Sequence, residues 1–561
     1  MKRIALLSKN SFWTGFAAAL AAGAVASAVM LLLKVLIGGV SLPDAFGSEL
    51  TALMPLSVFD YLHRTIGDNA KHYLFYGILV GQCLVFALSG ALYNRRINIK
   101  NRRLQWYDGL LLAFLLWLFA GLIFLPLTGA GIFGADLSTG FGLGLLSLAV
   151  VGIVFGLVFV LIQRWIAAQM SRQDGVASDR PMPLPLQAVE REQEGEEEAP
   201  FGAISRRTLL KNGAIAAGIV LAGVGAWRFI TAGISTSKVP VSQLLAHYKS
   251  KIVPPPTPNY GEIQPVQFLS PEVTSNDQFY LVSKNLFTDP TVKASSWRLT
   301  VDGQVDNPFT LTYQDLLAQP MKQQYESLMC ISNQVGGNLM SNARWEGVPL
   351  MDLLQRAGVK AGATKVVFHA ADDYTDSIHL TKALEPTTLL AVRMNGATLP
   401  QEHGFPARML VPGIYGMKHC KWVTRIEVAN YDYQGYWQQR GWSDPAPVRM
   451  TARIDTPLTG STVAANRITY IAGVAFSGNK GISEVDVSSD SGQTWQRATL
   501  KQPLSHLTWV LWELAWQPPK AGTYIVIARA IDLEGNVQDP NEEPPLPNGS
   551  SGYHTITVNV S

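Results

Sequence analysis

Four apolar stretches fall before residue 165: Trp13 to Ile37, Tyr73 to Leu92, Gly109 to Leu127 and Phe141 to Ile162. Each is close to the roughly 20 residues that a helix needs to cross a bilayer, and each is longer and denser in apolar residues than a buried core helix requires. A chain opening this way is committed to a bundle of membrane helices before anything else about it is decided. Lys2, Arg3 and Lys9 precede the first stretch, and Arg95, Arg96, Lys100, Arg102 and Arg103 separate the second from the third. Cationic residues flank membrane helices on the cytoplasmic side, so both segments are expected inside and the fourth helix returns the chain to the cytoplasm near Arg164. The only histidines in this region are His63 and His72, near the outer end of the second helix. A bis-histidine haem needs its ligands at bilayer depth, so region 1–163 is expected to be an anchor or docking surface and not a haem carrier.

Residues 164–204 become Pro-rich (PMPLPLQ) and then acidic (EREQEGEEE), a composition that cannot build a core and predicts a cytoplasmic linker. It ends in Ser205-Arg206-Arg207-Thr208-Leu209-Leu210-Lys211, followed by the apolar run GAIAAGIVLAGVGAW. The arginine pair would serve as a positive-inside anchor, but SRRTLLK also resembles a twin-arginine export signal. Segment 205–235 is therefore expected to be a fifth helix, leaving residues 236–275 as an extracytoplasmic linker and everything beyond exported in folded form. No small-x-small cleavage site follows, so the helix is expected to stay attached.

The remainder is large enough for two further cores. Over residues 276–445 helical and strand patterns alternate irregularly (WRLTVDG, LTYQDLLAQ, LMDLLQRAG, KVVFHA, ARMLVPG), predicting an α+β domain. Residues 446–561 read as all-β: strands ITYIAGVAF, EVDVSS and YIVIARAID are separated by the turn sequences SGNKG, SDSGQ and LEGN, at the spacing of a two-sheet sandwich. Trp495, Trp509, Trp512 and Trp516 are expected to serve its core or a domain contact. With 45 basic and 42 acidic residues the charge is too balanced for a nucleic-acid binder. Only Cys83, Cys330 and Cys420 occur, which excludes a disulfide scaffold and any Cys-rich zinc or iron–sulfur motif.

The polar residues of 276–445 gather in three clusters. One is Cys330 in SLMCISNQVGGNLMSNARWEGVPL; the others are His403-Gly404-Phe405-Pro406-Ala407-Arg408 and Tyr415-Gly416-Met417-Lys418-His419-Cys420-Lys421-Trp422. A lone cysteine is commonly a small buried hydrophobe. A buried Arg in ARMLVPG and the Lys and His of GMKHCKW are costly unless an anion meets them, and with backbone N–H groups of Gly404, Gly413 and Gly416 they could form a phosphate site.

Taken in order, C-x-x-N-x-x-G-G, RWEGVPL, HGFPARMLVPGIYGMKHCKW and TRIEV resemble the molybdopterin-binding domain of the sulfite oxidase family. DQFYLVSKN resembles that family's first cofactor-binding loop. SSDSGQTW and YIVIARAID resemble the immunoglobulin-like domain that follows it. The resemblance spans about residues 260–555 and implies a molybdenum–molybdopterin cofactor. It makes Cys330 the metal ligand, a soft thiolate suited to a thiophilic metal. It assigns His403, Arg408, His419, Cys420 and Lys421 to the pterin phosphate and ring, Ser283, Lys284 and Asn285 to the opposite edge, and Trp345 to the wall of the metal pocket. The family's sulfite oxidases carry an arginine directly after the asparagine; here Gln334 follows Asn333, which counts against sulfite as substrate. Arg440, in GYWQQRGWSD, is the candidate replacement cation. Membrane-linked sulfoxide reductases of the same family share this kind of ligand loop. The expectation is thus a bacterial, membrane-anchored oxidoreductase that transfers an oxygen atom to or from a small molecule outside the cytoplasm and exchanges electrons with a cytochrome or quinone-linked partner. The rival readings are a sulfoxide repair enzyme of the same fold and a non-catalytic binding module that kept it.

Overall fold

The computed structural model describes residues 2–178, apart from 56–57, 59–61, 63–69, 100–103 and 138, and residues 254–561. The twin-arginine-like motif, the expected fifth helix, most of both linkers and His63 lie outside the described residues. Two compact units divide the chain, one helical and one dominated by β-structure.

Among the described residues, the spans long and apolar enough to cross a membrane are Phe12–Ile37, Ala70–Ile99, Trp106–Leu127 and Gly140–Ile166, matching the four expected from composition. The last continues as helix to Ser178, past Arg164, where the linker was expected to begin. Large apolar side chains such as Leu88, Leu92, Phe114, Leu115 and Leu161 point outward, whereas Ala18, Ala19, Ala22 and Ala26 are buried against Phe86, Phe155 and Phe159. Small residues set how closely these helices approach. A Cβ added to Gly109 would meet the Gly156 carbonyl oxygen at 2.4 Å, and one on Gly156 would meet that of Gly109 at the same distance. Close backbone approach of this kind is how helices associate in lipid, where apolar burial provides no drive.

The β-rich unit begins with strands β1 (Arg298–Gly303), β2 (Phe309–Thr312), β3 (Lys322–Met329), β4 (Met340–Pro349), β5 (Lys365–Ala370), β6 (Thr375–His379), β7 (Leu389–Met394), β8 (Ala397–Thr398), β9 (Arg408–Leu410) and β10 (Val423–Ala429). They form one sheet ordered β2-β1-β10-β5-β6 and another ordered β3-β4-β7-β8, with β9 beside β7. Helices are present but minor: Tyr313–Leu317, Leu350–Ala357 and Leu380–Ala383. The first starts with a reciprocal cap, since Asp315 N donates to Thr312 Oγ1 at 3.1 Å and Thr312 N to Asp315 Oδ2 at 2.9 Å. The second buries Leu350, Leu353, Leu354 and Ala357 on one face and stops at Gly358, whose φ of +70° closes the helix in the left-handed region. The alternation read from the sequence is therefore real, but this domain is rich in sheet.

The C-terminal strands are β11 (Thr451–Thr456), β12 (Thr462–Val463), β13 (Thr469–Phe476), β14 (Ile482–Ser488), β15 (Gln496–Arg497), β16 (Thr499–Leu500), β17 (Val510–Trp516), β18 (Gly522–Asp532) and β19 (His554–Val560). Sheets β11-β13-β17-β16 and β12-β19-β18-β14-β15 make a β-sandwich around Ile471, Val485, Trp512, Val526 and Val558. Trp512 and Trp516 belong to that core. Trp509 instead joins a second cluster in which Val474, Phe476 and Leu511 of the sandwich pack on Met329, Ile331, Tyr415 and Trp442 of the preceding domain. The two domains thus share a core at the end of β3, where Cys330 begins.

Candidate active site

The Cys330 loop is braced from both sides. Cys330 N donates to Leu339 O at 2.9 Å, Asn333 N to Cys330 O at 3.1 Å, and Leu339 N to Asn333 Oδ1 at 2.9 Å. Asn333 is thus the residue that closes the loop from inside. Gly337 N donates to Gln334 O at 2.8 Å, and a Cβ on Gly337 would lie 2.6 Å from Asn333 Oδ1, so the Gly-Gly pair is required by the turn. The sandwich clamps the outside: Ser550 Oγ donates to Asn333 O at 2.7 Å and Arg453 to Gly337 O at 2.9 Å. The result is a buried thiol, 7% exposed, with Ser332 Oγ 3.0 Å from its sulfur.

Cys330 opens onto a cavity whose wall also includes Tyr280, Ser283, Lys284, Ser332, His403, Arg408, Met417, His419, Cys420, Lys421, Trp437 and Trp442. The three polar clusters read from the sequence therefore meet at one place. The basic wall is short of partners. Arg408, 6% exposed, spends NH1 on His403 O at 3.3 Å, and its Nε has none. Burial pulls its pKa below the ordinary arginine value. His403 Nε2 lies 2.8 Å from Asn276 O and so carries the proton, which leaves Nδ1 as a buried, unpartnered acceptor. Lys421 donates to Glu402 O at 3.0 Å and lies over the Trp422 ring, and burial lowers its pKa to about 8.

Other expected site residues have different surroundings. His419 has both ring nitrogens engaged: Val411 N donates to Nδ1 at 3.4 Å and Nε2 donates to Ile414 O at 3.2 Å. Burial lowers its pKa to about 3, so it lines the cavity as a neutral ring and not as a cation. The Cys420 thiol is buried in the hydrophobic core, with its pKa raised by burial and then by Asp372 and Asp376. Ser283 donates to Asp289, Lys284 to Asp372 O at 2.7 Å, and Asn285 to Asp289 and Asp372, both at 3.0 Å. Ser283 and Lys284 line the cavity and Asn285 does not.

Two expectations fail on geometry. Trp345 is fully buried outside the lining, its indole N–H donating to Glu326 O at 3.2 Å and its ring facing the Arg408 guanidinium at 5.7 Å, so it backs Arg408 and does not wall the metal pocket. Arg440 does not face the cavity either: its guanidinium lies 3.5 Å from the Tyr436 ring centroid and donates to Tyr436 O at 2.6 Å. Aromatic residues stand where that cation was sought. Trp437 and Trp442 stack with ring centroids 4.2 Å apart, and both line the cavity with Met417 and Tyr374. The sequence signal was GYWQQRGW, two tryptophans five residues apart in a segment without strand or helix pattern. Gln334 is exposed and outside the lining.

Among the described residues no group of three His, Cys, Asp or Glu side chains is placed to hold a metal. One buried thiol on the same cavity wall as a guanidinium and an imidazole that each keep one unpartnered nitrogen fits a metal carried on an anionic organic group.

The profile of the oxidoreductase molybdopterin binding domain matches residues 287–437, and that of the Mo-co oxidoreductase dimerisation domain matches residues 448–545. Mitochondrial sulfite oxidase of Rattus norvegicus is 31% identical over 340 residues, covering 51% of this chain and 62% of its own length. Sulfite oxidase of Arabidopsis thaliana is 30% identical over 340 residues, covering 49% of this chain and 84% of its own. An uncharacterized oxidoreductase of Bacillus subtilis is 34% identical over 148 residues, covering 26% and 73%. The chain belongs to the sulfite oxidase family. The apolar helices lie outside the residues that the two domain profiles match. The chain spans 62% of the length of the rat and human sulfite oxidases it matches.

Proposed function

We propose that the protein is a membrane-anchored enzyme that carries out two-electron oxygen-atom transfer on a neutral or monoanionic small molecule, with its cofactor domain outside the cytoplasm. The observation that carries this reading is the single cavity wall shared by the Cys330 sulfur and the basic trio His403, Arg408 and Lys421. When bound, the cofactor supplies redox chemistry at molybdenum; the protein supplies a ligand, orientation and field. Cys330 is the protein's metal ligand. Arg408 and Lys421 hold the anionic end. His403, whose Nδ1 is a buried acceptor without a partner, would accept a hydrogen bond from the organic part of the cofactor, and His419 is a positioning residue that fixes the 411–419 turn.

Substrate preference follows from the rest of the wall. Of the cations lining the cavity, Lys284 is paired with Asp372 at 3.7 Å, and Arg408 and Lys421 are assigned to the cofactor. Trp437, Trp442 and Met417 present apolar and π surface, which favours a sulfoxide, N-oxide or thioether over a small dianion such as sulfite. The four apolar spans and the cationic 94–106 segment support a multi-pass bacterial membrane protein with its N-terminus inside, and the SRRTLLK motif supports export of the folded cofactor domain. Electrons then pass to or from a cytochrome or quinone-linked partner. Metal analysis with pterin extraction, followed by turnover assays on sulfite and on a sulfoxide series, tests the reading. Efficient sulfite oxidation at low concentration would refute the substrate assignment, and a protein purified from a cofactor-producing host without molybdenum would refute the whole.

A further inference from the structure

Residues between the first two apolar spans do not stay with the helical unit. The described residues of Asp44–Tyr76 belong to the β-rich unit, together with the cofactor domain and the sandwich. Two side chains carry the attachment. Ser48, on the helix Leu42–Leu53, has its Oγ 3.1 Å from the Tyr436 hydroxyl. Phe75 stacks on Phe287, with ring centroids 5.0 Å apart and planes 18° from parallel. Phe75 is only 2% exposed, whereas Tyr73 and Tyr76, close by on the same helix, are 62% and 59% exposed. This one ring is therefore covered by protein while its neighbours are not.

Both contacts fall on loops that build the cavity. Phe287 continues the loop that lines it from Tyr280 to Lys284, and Tyr436 precedes the lining residue Trp437 and meets it edge to face at 5.0 Å. Lys284 joins the two loops, its Nζ 5.4 Å from the Tyr436 ring centroid. Neither 279–287 nor 430–442 contains a strand, and the three-residue turn Gln438–Arg440 is their only helix. A loop outside any ladder takes its position from the side chains packed on it, and it opens at low cost when they are removed. Tyr436 is the joint of the arrangement: its hydroxyl meets Ser48, and its ring meets Lys284 and Trp437. We propose that residues 44–76 are a brace on the cavity, which holds the 280–287 and 436–442 loops in place and so limits the size of the small molecule that enters. This rests on the oxygen-transfer reading only for the identity of that molecule. The segment between the first two spans is then a determinant of selectivity in addition to a link between helices. It lies on the same side of the membrane as the cofactor domain, where a chain with its N-terminus inside puts the residues after its first span.

The test uses the full chain, loaded with cofactor, and the variant Phe75→Ala. Backbone hydrogen exchange, read by mass spectrometry, should become several-fold faster in 280–287 and 436–442 and stay unchanged in the sandwich strands β13 and β17. The KM of a bulky aryl sulfoxide relative to dimethyl sulfoxide should fall several-fold, with molybdenum content and kcat on dimethyl sulfoxide retained. Wild-type exchange in both loops would overturn the proposal, and faster exchange with an unchanged KM ratio would refute the size selection. Exchange is read without substrate, so a protein that turns over neither sulfoxide refutes the substrate reading and leaves the brace to stand or fall on exchange alone. Should Phe75→Ala fail to fold, Ser48→Ala, which removes a single hydroxyl, takes its place: faster exchange in 436–442 is required, and none is a refutation.

Discussion

The cavity has two walls built on different physics. On the basic wall, Arg408 Nε and His403 Nδ1 are buried with no partner. On the aromatic wall, Trp437 and Trp442 are stacked, and Trp442 belongs to a core shared with the β-sandwich. A wall with unmet polar demand waits for a specific group; a wall already packed only shapes the space that is left. The first kind announces its ligand and the second restricts the substrate. Changes on the basic side should therefore remove the cofactor and its chemistry, whereas changes on the aromatic side should alter selectivity and stability.

The largest effect is expected at the point between the walls. Cys330→Ser should lower turnover by orders of magnitude, because a hydroxyl is a harder donor that stays protonated at neutral pH. Its stability should change by about 1 kcal/mol or less, since Ser332 Oγ, 3.0 Å from the sulfur, gives the new hydroxyl a partner. Turnover per bound molybdenum, measured beside the melting temperature, separates ligand from packing residue; wild-type turnover with a lowered melting temperature would make Cys330 structural. Next is Arg408→Met, which should weaken cofactor retention by about 2 to 5 kcal/mol, read as pterin content after gel filtration. Full retention would erase the distinction between the walls.

On the aromatic side, Trp442→Ala should cost about 3 to 5 kcal/mol of stability by opening a cavity in the shared core. Trp442→Phe should keep the fold and the molybdenum content but raise KM for a thioether-type substrate. Loss of molybdenum in the Phe variant would show that this wall also holds the cofactor. A smaller effect is expected from pH. His419 in the native protein stays neutral down to about 3, whereas an exposed histidine in the unfolded chain takes a proton near its ordinary 6.5. Between these values the unfolded state binds more protons, so stability falls as pH drops from about 6.5 toward 3. His419→Gln should flatten that part of the melting-temperature profile, and an unchanged slope would mean that the ring is charged or exposed. The smallest effect is reserved for Gln334→Arg. Because Gln334 is exposed and outside the cavity, the new cation should leave sulfite turnover almost unaltered. A marked gain would show that the loop moves inward.

Segments whose own pattern fixes their structure could be read before any coordinates. The four apolar spans came directly from length and composition, because a bilayer-crossing helix satisfies every backbone group within itself. The helix Leu350–Ala357 and the strands around KVVFHA and YIVIARAID likewise followed from local periodicity. The order of motifs around Cys330, His403, Arg408 and Lys421 indicated the family and its cofactor. Other features depend on contacts between residues far apart in the chain, and pattern carries no record of those. Trp345 was expected at the metal and instead backs Arg408, because β4 pairs with β3 and turns the indole onto Glu326 O. Arg440 was expected to charge the substrate pocket and instead folds back on Tyr436, a contact only four residues away that its pattern did not show. The Cys330 loop, short and Gly-rich, is held by Ser550 and Arg453, more than a hundred residues away. The sequence by itself determined which elements form and which chemistry the chain carries, since these depend on residue type and near neighbours. Only the tertiary structure decided which charges were left without partners, because burial and hydrogen-bond satisfaction belong to the packed molecule and not to any one segment of it.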